Sequence, residues 1–393
     1  MNLDVIELTK KLISYPTVSR ESNLDLIEYI QYLLNSYKIK SQIQYNYDKN
    51  KANLIATIGP PEVPGILLSG HSDVVPTDDQ DWSQDPFTAT VINDKLYGRG
   101  SCDMKGFIAS VLSCLPKISS LKNQLKKPLH LVFTYDEEVG CYGAKNLASL
   151  SSKYIQTEPW LSIIGEPSNM SLVNAHKGMY LLNTQIKGIP AHSSAPTNAV
   201  SAIQIAARLI CFIEDFIKKK KISACSSSTN FNHPYSTMNI GSICGGTAVN
   251  IIAEDAEFDW EIRFISDREA TELLDNFKNY SLQLINDSEK ALDNRQLEII
   301  TTIASSLPSL LEKNRKTLTQ RMSGLLDDLT LNQVDYCTEA GIYQKTWQCP
   351  TVICGPGSIL QAHKPNEYVA LEQLQKSVAF VERIIDKCVF EEV

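Results

Sequence analysis

The amino-acid sequence predicts an α/β protein in which a smaller α+β domain is inserted into a larger α/β domain. Three observations carry this prediction. Strand-like apolar runs alternate with helical stretches over residues 1–178, the order of elements changes after that point, and the alternation resumes from Leu307. A chain of 393 residues also exceeds the size at which a single hydrophobic core stops growing, so we expect two domains.

The larger domain begins with a predicted helix, because polar and apolar residues alternate at helical spacing in "MNLDVIELTKKLISYPTVS". Short apolar runs bounded by turn residues then predict four buried strands: "NLIATIG", "GILLSGHSDV", "LHLVFTY" and "WLSIIGE". Helical stretches such as "MKGFIASVLSCLPKI" alternate with these runs. This alternation is typical of a largely parallel sheet with helices on its faces.

The inserted domain is predicted from the order of elements after Gly178. The patterns indicate, in order, the strand "YLLNTQIKG", a helix over 198–220, strands near 237–246 and 255–265, a helix over 267–287 and the strand "QLEIITTIA". This β-α-β-β-α-β order is typical of an open sandwich with an antiparallel sheet. The α/β pattern then resumes with a helix over 311–328, the strand "TVICGPG" and a closing helix from Val369.

Composition narrows the class of protein. Hydrophobic residues make up 43% of the chain and charged residues 21%, and no apolar run approaches the ~20 residues that a membrane span needs. The N-terminus lacks the basic start and apolar centre of a signal peptide, and the ten cysteines are scattered without a C-x-x-C pair. A net charge of −8 argues against general nucleic-acid binding. We therefore expect a cytoplasmic protein with reduced thiols and neither a membrane nor a nucleic-acid partner.

Metal-ligand side chains follow four of the predicted strands and occupy one glycine-rich loop. They are His71 and Asp73 after "LLSG", Glu137 and Glu138 after "LHLVFTY", Glu166 in "GEP", His363 after "TVICGPG", and Asp103 in "YGRGSCDMKG". Taken singly, each is more simply a surface histidine, a turn acid or a helix N-cap. Ligand-binding groups in open sheets collect beyond the carboxyl ends of the strands, so together these residues predict a site at one edge.

Two divalent ions ~3.5–4 Å apart require a bridging carboxylate and further nitrogen or oxygen ligands on each ion. Two histidines and three carboxylates would suffice. The adjacent Glu137 and Glu138 diverge, so that one could bind metal while the other acts as a base. Because no thiolate belongs to the set, the site suits zinc, cobalt or manganese, and the residues leave that choice open.

Five motifs, in order, resemble those of the di-zinc aminoacylase and carboxypeptidase superfamily: "GHSDVVP", "YGRGSCDMKG", "DEEVG", "GEPSNM" and "GPGSILQAHKPNEYV". The resemblance runs through nearly the whole chain. It implies a zinc-peptidase-like catalytic domain made of residues 1–178 and 307–393, with residues 179–306 as an inserted lid and dimerisation domain. It also implies a homodimer and two divalent metal ions, with zinc expected and cobalt or manganese as alternatives.

The same resemblance assigns roles at the strand ends. It implies that His71, Asp103 and Glu166 hold one ion. Asp103 would bridge to a second ion, which Glu138 and His363 would also bind.

The resemblance further implies that Glu137 is the general base and that Asp73 orients His71. In the lid it implies three residues that contact the substrate: His192, Asn250 and Arg263. His192 would donate to the oxyanion in the active site of the neighbouring subunit. The other two would bind a carboxylate of the substrate.

The implied reaction is hydrolysis of an N-acyl amino acid by a water that two metal ions activate. The stretch "CTEAGIYQKTWQCP" resembles the branch that releases acetate from N2-acetyl-L-ornithine in arginine biosynthesis. Alternatives are a desuccinylase, another N-acyl amino acid hydrolase or a dipeptidase of the same superfamily. A non-catalytic binding protein on the same fold is the alternative of another class, and it is disfavoured because all the ligand and base positions are filled.

Overall fold

The computed structural model describes residues 3–224, 230–289, 296–312 and 314–390. The chain forms two compact units. Unit 1 consists of Met1–Ala175, Leu310–Gln333 and Thr338–Val393, and unit 2 consists of His176–Ser309 and Val334–Cys337. The short return of the chain to unit 2 at Val334–Cys337 has no counterpart in the division drawn from the sequence.

The described residues of the two units form the following helices and strands. The helices are α1 (Val5–Ile13), α2 (Leu24–Ser36), α3 (Lys105–Ser113), α4 (Leu115–Leu121), α5 (Tyr142–Ser149), α6 (Ser151–Tyr154), α7 (Ala202–Ala224), α8 (Asp267–Glu289), α9 (Arg315–Met322), α10 (Ala340–Trp347) and α11 (Leu371–Phe390). The strands are β1 (Gln42–Tyr45), β2 (Ala52–Ile58), β3 (Ile66–His71), β4 (Thr90–Ile92), β5 (Lys95–Tyr97), β6 (Leu129–Thr134), β7 (Leu161–Pro167), β8 (Leu172–His176), β9 (Gly178–Lys187), β10 (Thr237–Gly245), β11 (Asp255–Phe264), β12 (Glu298–Leu307), β13 (Leu310–Leu311), β14 (Leu331–Val334), β15 (Thr351–Gly355) and β16 (Tyr368–Ala370).

Unit 1 is built around a sheet of strand order β1-β2-β6-β3-β7-β15-β8-β13, with β14 paired to β8. Its four central strands, β6, β3, β7 and β15, run parallel and are buried along their whole length. Parallel strands of this kind read as continuous apolar runs because helices cover both faces. The sequence therefore identifies the centre of the sheet correctly.

The flanks of this sheet are antiparallel, which the predicted largely parallel sheet did not include. β2 pairs with β1 and β6 in antiparallel fashion, and β8 pairs with β15 in the same way. Only residues 59–65 connect β2 to β3. A parallel crossover needs a dozen or more residues, so this short connection forces β2 to run against β3.

Unit 2 has the predicted β-α-β-β-α-β order, given by β9, α7, β10, β11, α8 and β12. Its antiparallel sheet has the strand order β10-β11-β9-β12. Along β11 the buried residues Phe258, Trp260 and Ile262 alternate with the less buried residues Glu257 and Asp259. Side chains of a strand alternate between the two faces, so one face of this sheet forms the core with the helices and the other carries charge.

Three predicted helices have different bounds in the structure. The helix predicted over 311–328 is the shorter α9, which Asn314 caps and which ends before Gly324, a residue with a φ of +77°. The closing helix begins at Leu371, because Val369 pairs with β5 as part of β16. The helix predicted from residue 198 begins at Ala202. None of the helices within the described residues has both the length and the apolar character needed to cross a membrane.

Candidate metal centre

The candidate metal ligands and the candidate base selected from the sequence lie at the carboxyl end of the parallel strands of unit 1. His71 is the last residue of β3, and Glu166 is the last but one of β7. Glu137 and Glu138 lie in the turn after β6. Asp103 lies in the turn before α3, and His363 lies in the loop after β15. Because parallel strands end at one edge, side chains from distant parts of the sequence meet there.

Two groups of side chains at this edge have the geometry to hold a metal ion. One contains His71, Asp103 and Glu166, the other contains Asp103, Glu138 and His363, and in each group the ligand atoms lie within 4.8 Å of one another. Asp103 belongs to both groups. Its Oδ1 lies 2.9 Å from Nε2 of His71, and its Oδ2 lies 3.1 Å from Nε2 of His363. A carboxylate that presents one oxygen to each side is what a two-metal site requires.

The donor atoms fit divalent cations. His71 Nδ1 lies 2.9 Å from the backbone carbonyl of Asp73, which can only accept, so Nδ1 carries a proton and Nε2 is the ring nitrogen that could bind a metal ion. Oε1 of Glu166 is buried and has no hydrogen-bond partner in the part of the chain that the structure describes. A buried carboxylate oxygen without a donor is costly unless a cation satisfies it. Imidazole nitrogens and carboxylate oxygens suit zinc, cobalt or manganese.

The carboxylates of this cluster resist ionisation in the absence of cations. Burial raises the pKa of Glu137 and of Glu166 well above the usual range, and it raises the pKa of Glu138 to about 7. Neighbouring carboxylates act in the same direction, because like charges in a small volume repel. Divalent cations at the site would reverse this tendency by holding all three groups ionised.

The two histidines and Asp103 show the opposite tendency. Hydrogen bonds to Asp103 and Glu138 raise the pKa of His363 to about 10. Burial opposes charge on His71, but its hydrogen bonds to Asp103 and Asp73 raise its pKa well above the ordinary value. Burial also disfavours ionised Asp103, and its bonds to the two imidazoles outweigh this and lower its pKa. The protons that these imidazoles hold would be released when metal binds.

Asp73 contacts more than the histidine that it was expected to orient. Its Oδ1 lies 3.6 Å from Nδ1 of His71, whereas its backbone carbonyl oxygen lies 2.9 Å from the same nitrogen. Oδ1 instead accepts the backbone N–H of Glu137 at 3.0 Å. Its Oδ2 accepts the backbone N–H of Glu138 at 3.3 Å and the hydroxyl of Ser19 at 2.8 Å. Asp73 therefore holds the backbone of the turn that carries both glutamates.

The two adjacent glutamates occupy different environments. Glu138 belongs to the second group of ligand atoms, with Oε2 at 3.1 Å from His363 Nε2, whereas Glu137 belongs to neither group. Oε1 of Glu137 accepts a hydrogen bond from the thiol of Cys141 at 3.4 Å. Asp136 lies in the same turn and has a φ of +53°. Its carboxylate forms an ion pair with Lys51, which anchors the turn to the start of β2.

Several residues that support the site were not identified from the sequence. They are Ser19, Lys51, Arg99, Glu339 and Glu367. Glu339 is buried, accepts hydrogen bonds from the hydroxyls of Ser69 and Thr134, and has its pKa raised by burial to about 7. It thereby joins the ends of β3 and β6. Arg99 and Glu367 lie within the quoted "YGRG" and "HKPNE" motifs, which was the one signal available for them.

Two of the residues predicted to contact the substrate, His192 and Asn250, are neighbours in unit 2. The segments that carry His192 and Asn250 form a bridge, in which the Ser193 N–H donates to the Asn250 carbonyl at 2.9 Å. His192 is exposed, and its Nδ1 accepts the backbone N–H of Ser194 at 3.3 Å. The same Nδ1 lies 2.7 Å from Oγ of Ser194, so Ser194 occupies one ring nitrogen and Nε2 is the one that could contact a ligand.

Arg263 lies on β11 of unit 2. Its Nη2 is 2.9 Å from Oε2 of Glu261, and its Nη1 is 3.2 Å from the sulfur of Cys337. The Arg263 side chain is 30% exposed. Its guanidinium has five N–H groups, so it can make these two contacts and still donate to a carboxylate ligand.

A mixed α/β unit whose parallel strands end in two ligand groups with a shared aspartate has the arrangement that metal-dependent hydrolases with two ions use. The chain belongs to peptidase family M20/M25/M40, whose sequence profile matches residues 67–387. It is 36% identical over 390 residues to an acetylornithine deacetylase of Buchnera aphidicola subsp. Acyrthosiphon pisum, with 97% of each chain covered. It is 34% identical over 392 residues to the acetylornithine deacetylase of Shigella sonnei, covering 97% of this chain and 96% of that one.

Solved structures have the same fold. A tripeptidase of Staphylococcus aureus matches 100% of both chains with a TM-score of 0.73 at 20% sequence identity. The predicted membership of this metallopeptidase superfamily and the predicted fold class are thus both confirmed.

Proposed function

We propose that the protein is an acetylornithine deacetylase, which hydrolyses N2-acetyl-L-ornithine to acetate and L-ornithine with two divalent metal ions. The main observation in favour of metal-dependent chemistry is the position of the Asp103 carboxylate. One of its oxygens lies beside the histidine of each group of ligand atoms. The choice of substrate is supported by relatives of that name that match 97% of the chain. Arginine biosynthesis is the corresponding pathway, and the cytoplasm is the expected compartment.

His71, Asp103 and Glu166 would hold one ion, and Asp103, Glu138 and His363 would hold the other. Zinc is the proposed metal. When bound, two such ions supply Lewis acidity that polarises the amide carbonyl and acidifies the attacking water.

Glu137 is the proposed general base. Its carboxylate takes a proton from the water whose oxygen attacks the acetyl carbonyl carbon. The carbon–nitrogen bond then breaks, and Glu137 returns the proton to the α-nitrogen of ornithine, so that acetate and the amine leave. One observation supports this role: Glu137 lies outside both groups of ligand atoms, although it directly precedes Glu138, which belongs to the second group.

The lid residues are proposed to bind the substrate. Arg263, together with Asn250, would bind the α-carboxylate, since a guanidinium matches a carboxylate with two parallel hydrogen bonds. His192 would donate from Nε2 to the oxyanion, and this role is supported by the exposure of its side chain and by the contact of its other ring nitrogen with Ser194. We propose that it does so in the active site of the second subunit of a homodimer.

The test is a substrate panel with enzyme reconstituted separately with zinc, cobalt and manganese. We expect N2-acetyl-L-ornithine to be cleaved with a kcat/KM of about 10⁴–10⁸ M⁻¹s⁻¹ and metal-free protein to be inactive. Its α-carboxamide analogue should be a poor substrate, because Arg263 loses its partner. Faster cleavage of N-succinyl amino acids or of dipeptides would contradict the substrate. Full activity without metal would contradict the proposed metal-dependent mechanism.

A further inference from the structure

An ion pair between Arg99 and Glu367 lies in the interior of unit 1. Nη1 of Arg99 is 2.8 Å from Oε2 of Glu367, and each side chain is only 1% exposed. Removing two charges from water costs several kcal/mol per ion, and replacing such a pair with apolar residues is often neutral or stabilising. Stability alone therefore does not account for a buried pair at this position, and its further contacts indicate another role.

Glu367 also binds the backbone that carries the shared ligand. Its Oε1 accepts the backbone N–H of Cys102 at 2.9 Å and that of Asp103 at 3.1 Å. Its own carbonyl accepts the N–H of Gly98 at 3.0 Å. One carboxylate oxygen thus fixes the main chain of Asp103 while the other holds the guanidinium.

The two Nη groups of Arg99 also donate to other loops of the centre. Nη1 donates to the carbonyl of Lys364 at 3.3 Å, and Lys364 directly follows the ligand His363. Nη2 donates to the carbonyl of Pro76 at 3.4 Å, in the loop that follows His71. Nη2 also donates to Oε1 of Gln80. The guanidinium thus donates to four acceptors, whereas a lysine ammonium has only three N–H groups.

We infer that Arg99 and Glu367 are positioning residues of the metal centre, which fix the spacing of its two ligand groups. The pair ties the backbone of Asp103, the residue common to both groups, to the loops that bring His71 and His363. Neither side chain is a ligand in either group. The inference rests on the proposed metal-binding role of those groups and makes their geometry depend on a contact that spans 268 residues of sequence.

The test compares the metal affinity of Glu367→Gln with that of the wild-type protein. An amide offers one oxygen, so it cannot accept from the two backbone N–H groups and from Arg99 together. Loss of such an outer partner costs roughly 10- to 100-fold in metal affinity. We expect a cobalt dissociation constant raised by that factor in competition with a chromophoric chelator, and an altered visible spectrum of the cobalt protein.

The matched control is Glu312→Gln. Glu312 is also a buried carboxylate that accepts a backbone N–H, from Asn314 at 2.8 Å, and it follows β13 at the far end of the strand order. Its cobalt affinity and spectrum should equal those of the wild type. A loss of affinity in this control as large as that in Glu367→Gln would make the effect general and would overturn the inference.

A second variant keeps the inference testable if Glu367→Gln does not fold. Arg99→Lys retains the charge and loses the fork, so it should also weaken cobalt binding, and the double variant should lose less than the product of the single effects. Wild-type affinity and spectrum in folded Arg99→Lys would contradict the inference. A wild-type protein that binds no metal would instead contradict the proposed function.

Discussion

Replacing Asp73 with asparagine tests how this residue acts. The structure places its two oxygens on the backbone N–H groups of Glu137 and Glu138 and on the hydroxyl of Ser19, whereas Nδ1 of His71 is nearer to a backbone carbonyl. An asparagine keeps one oxygen and turns an NH₂ group toward a buried N–H. At least one donor of the turn is then unsatisfied, which costs about 1–3 kcal/mol of unfolding free energy.

The substitution should also affect catalysis, because it changes the position of Glu137, the proposed general base. A displacement of the base by ~1 Å is enough to lower a rate by roughly 10²-fold. We therefore expect Asp73→Asn to lose about that factor in kcat even at saturating metal, because the turn that carries Glu137 is released. The assay is kcat as a function of metal concentration, together with unfolding by urea. Ser19→Ala, which removes only the hydroxyl contact, is the matched control and should lose less.

The result that would refute this reasoning is a full recovery of kcat by excess metal. Recovery would mean that Asp73 acts through the metal affinity of His71 and that its bonds to the turn are without effect on the base.

The remaining predictions concern the two glutamates, the lid and the stability of unit 1. Glu137→Ala should retain its metal and lose roughly 10²–10⁴ in kcat, as for a lost general base, while Glu138→Ala should lose metal; metal analysis with kinetics decides, and the reverse pattern would exchange the two roles. Mixed dimers of His192→Ala and Glu137→Ala chains should recover activity that neither parent has, and verified mixed dimers without activity would exclude a shared site. Burial lowers the pKa of His130 to about 4, below its unfolded value of about 6.5, so its contribution is present above pH ~6.5 and is lost as pH falls toward ~4. From pH 7 to 5 this amounts to about 2 kcal/mol of unfolding free energy, and His130→Gln should lack it; an unchanged pH dependence in urea unfolding would contradict the assignment.

The sequence indicated the centre of the fold because local patterns determine it. β3, β6, β7 and β15 are buried, mainly apolar runs, and each leads to a candidate ligand or base at or beyond its carboxyl end. The direction of β2 did not follow from such a pattern, because it depends on the length of a connection and on pairing with β6, which comes much later in the chain.

Some residues of the candidate site were likewise visible in local sequence patterns, and others were not. His71 and Glu166 stand out at the ends of apolar runs, so their type and position are visible locally. Arg99 and Glu367 do not, because their partners lie hundreds of residues away and no periodicity links them. Glu339 joins the hydroxyls of two different strands, a contact that exists only once the sheet has formed.

The most direct test of the central claim is the number of metal ions bound per chain, measured by mass spectrometry of metals after removal of excess ion. The account predicts two ions in the wild-type protein, one in Glu166→Ala, and severe loss of both in Asp103→Ala, because both groups of ligand atoms share that carboxylate. A wild-type protein with a single ion, or an Asp103→Ala variant that keeps two, would contradict it.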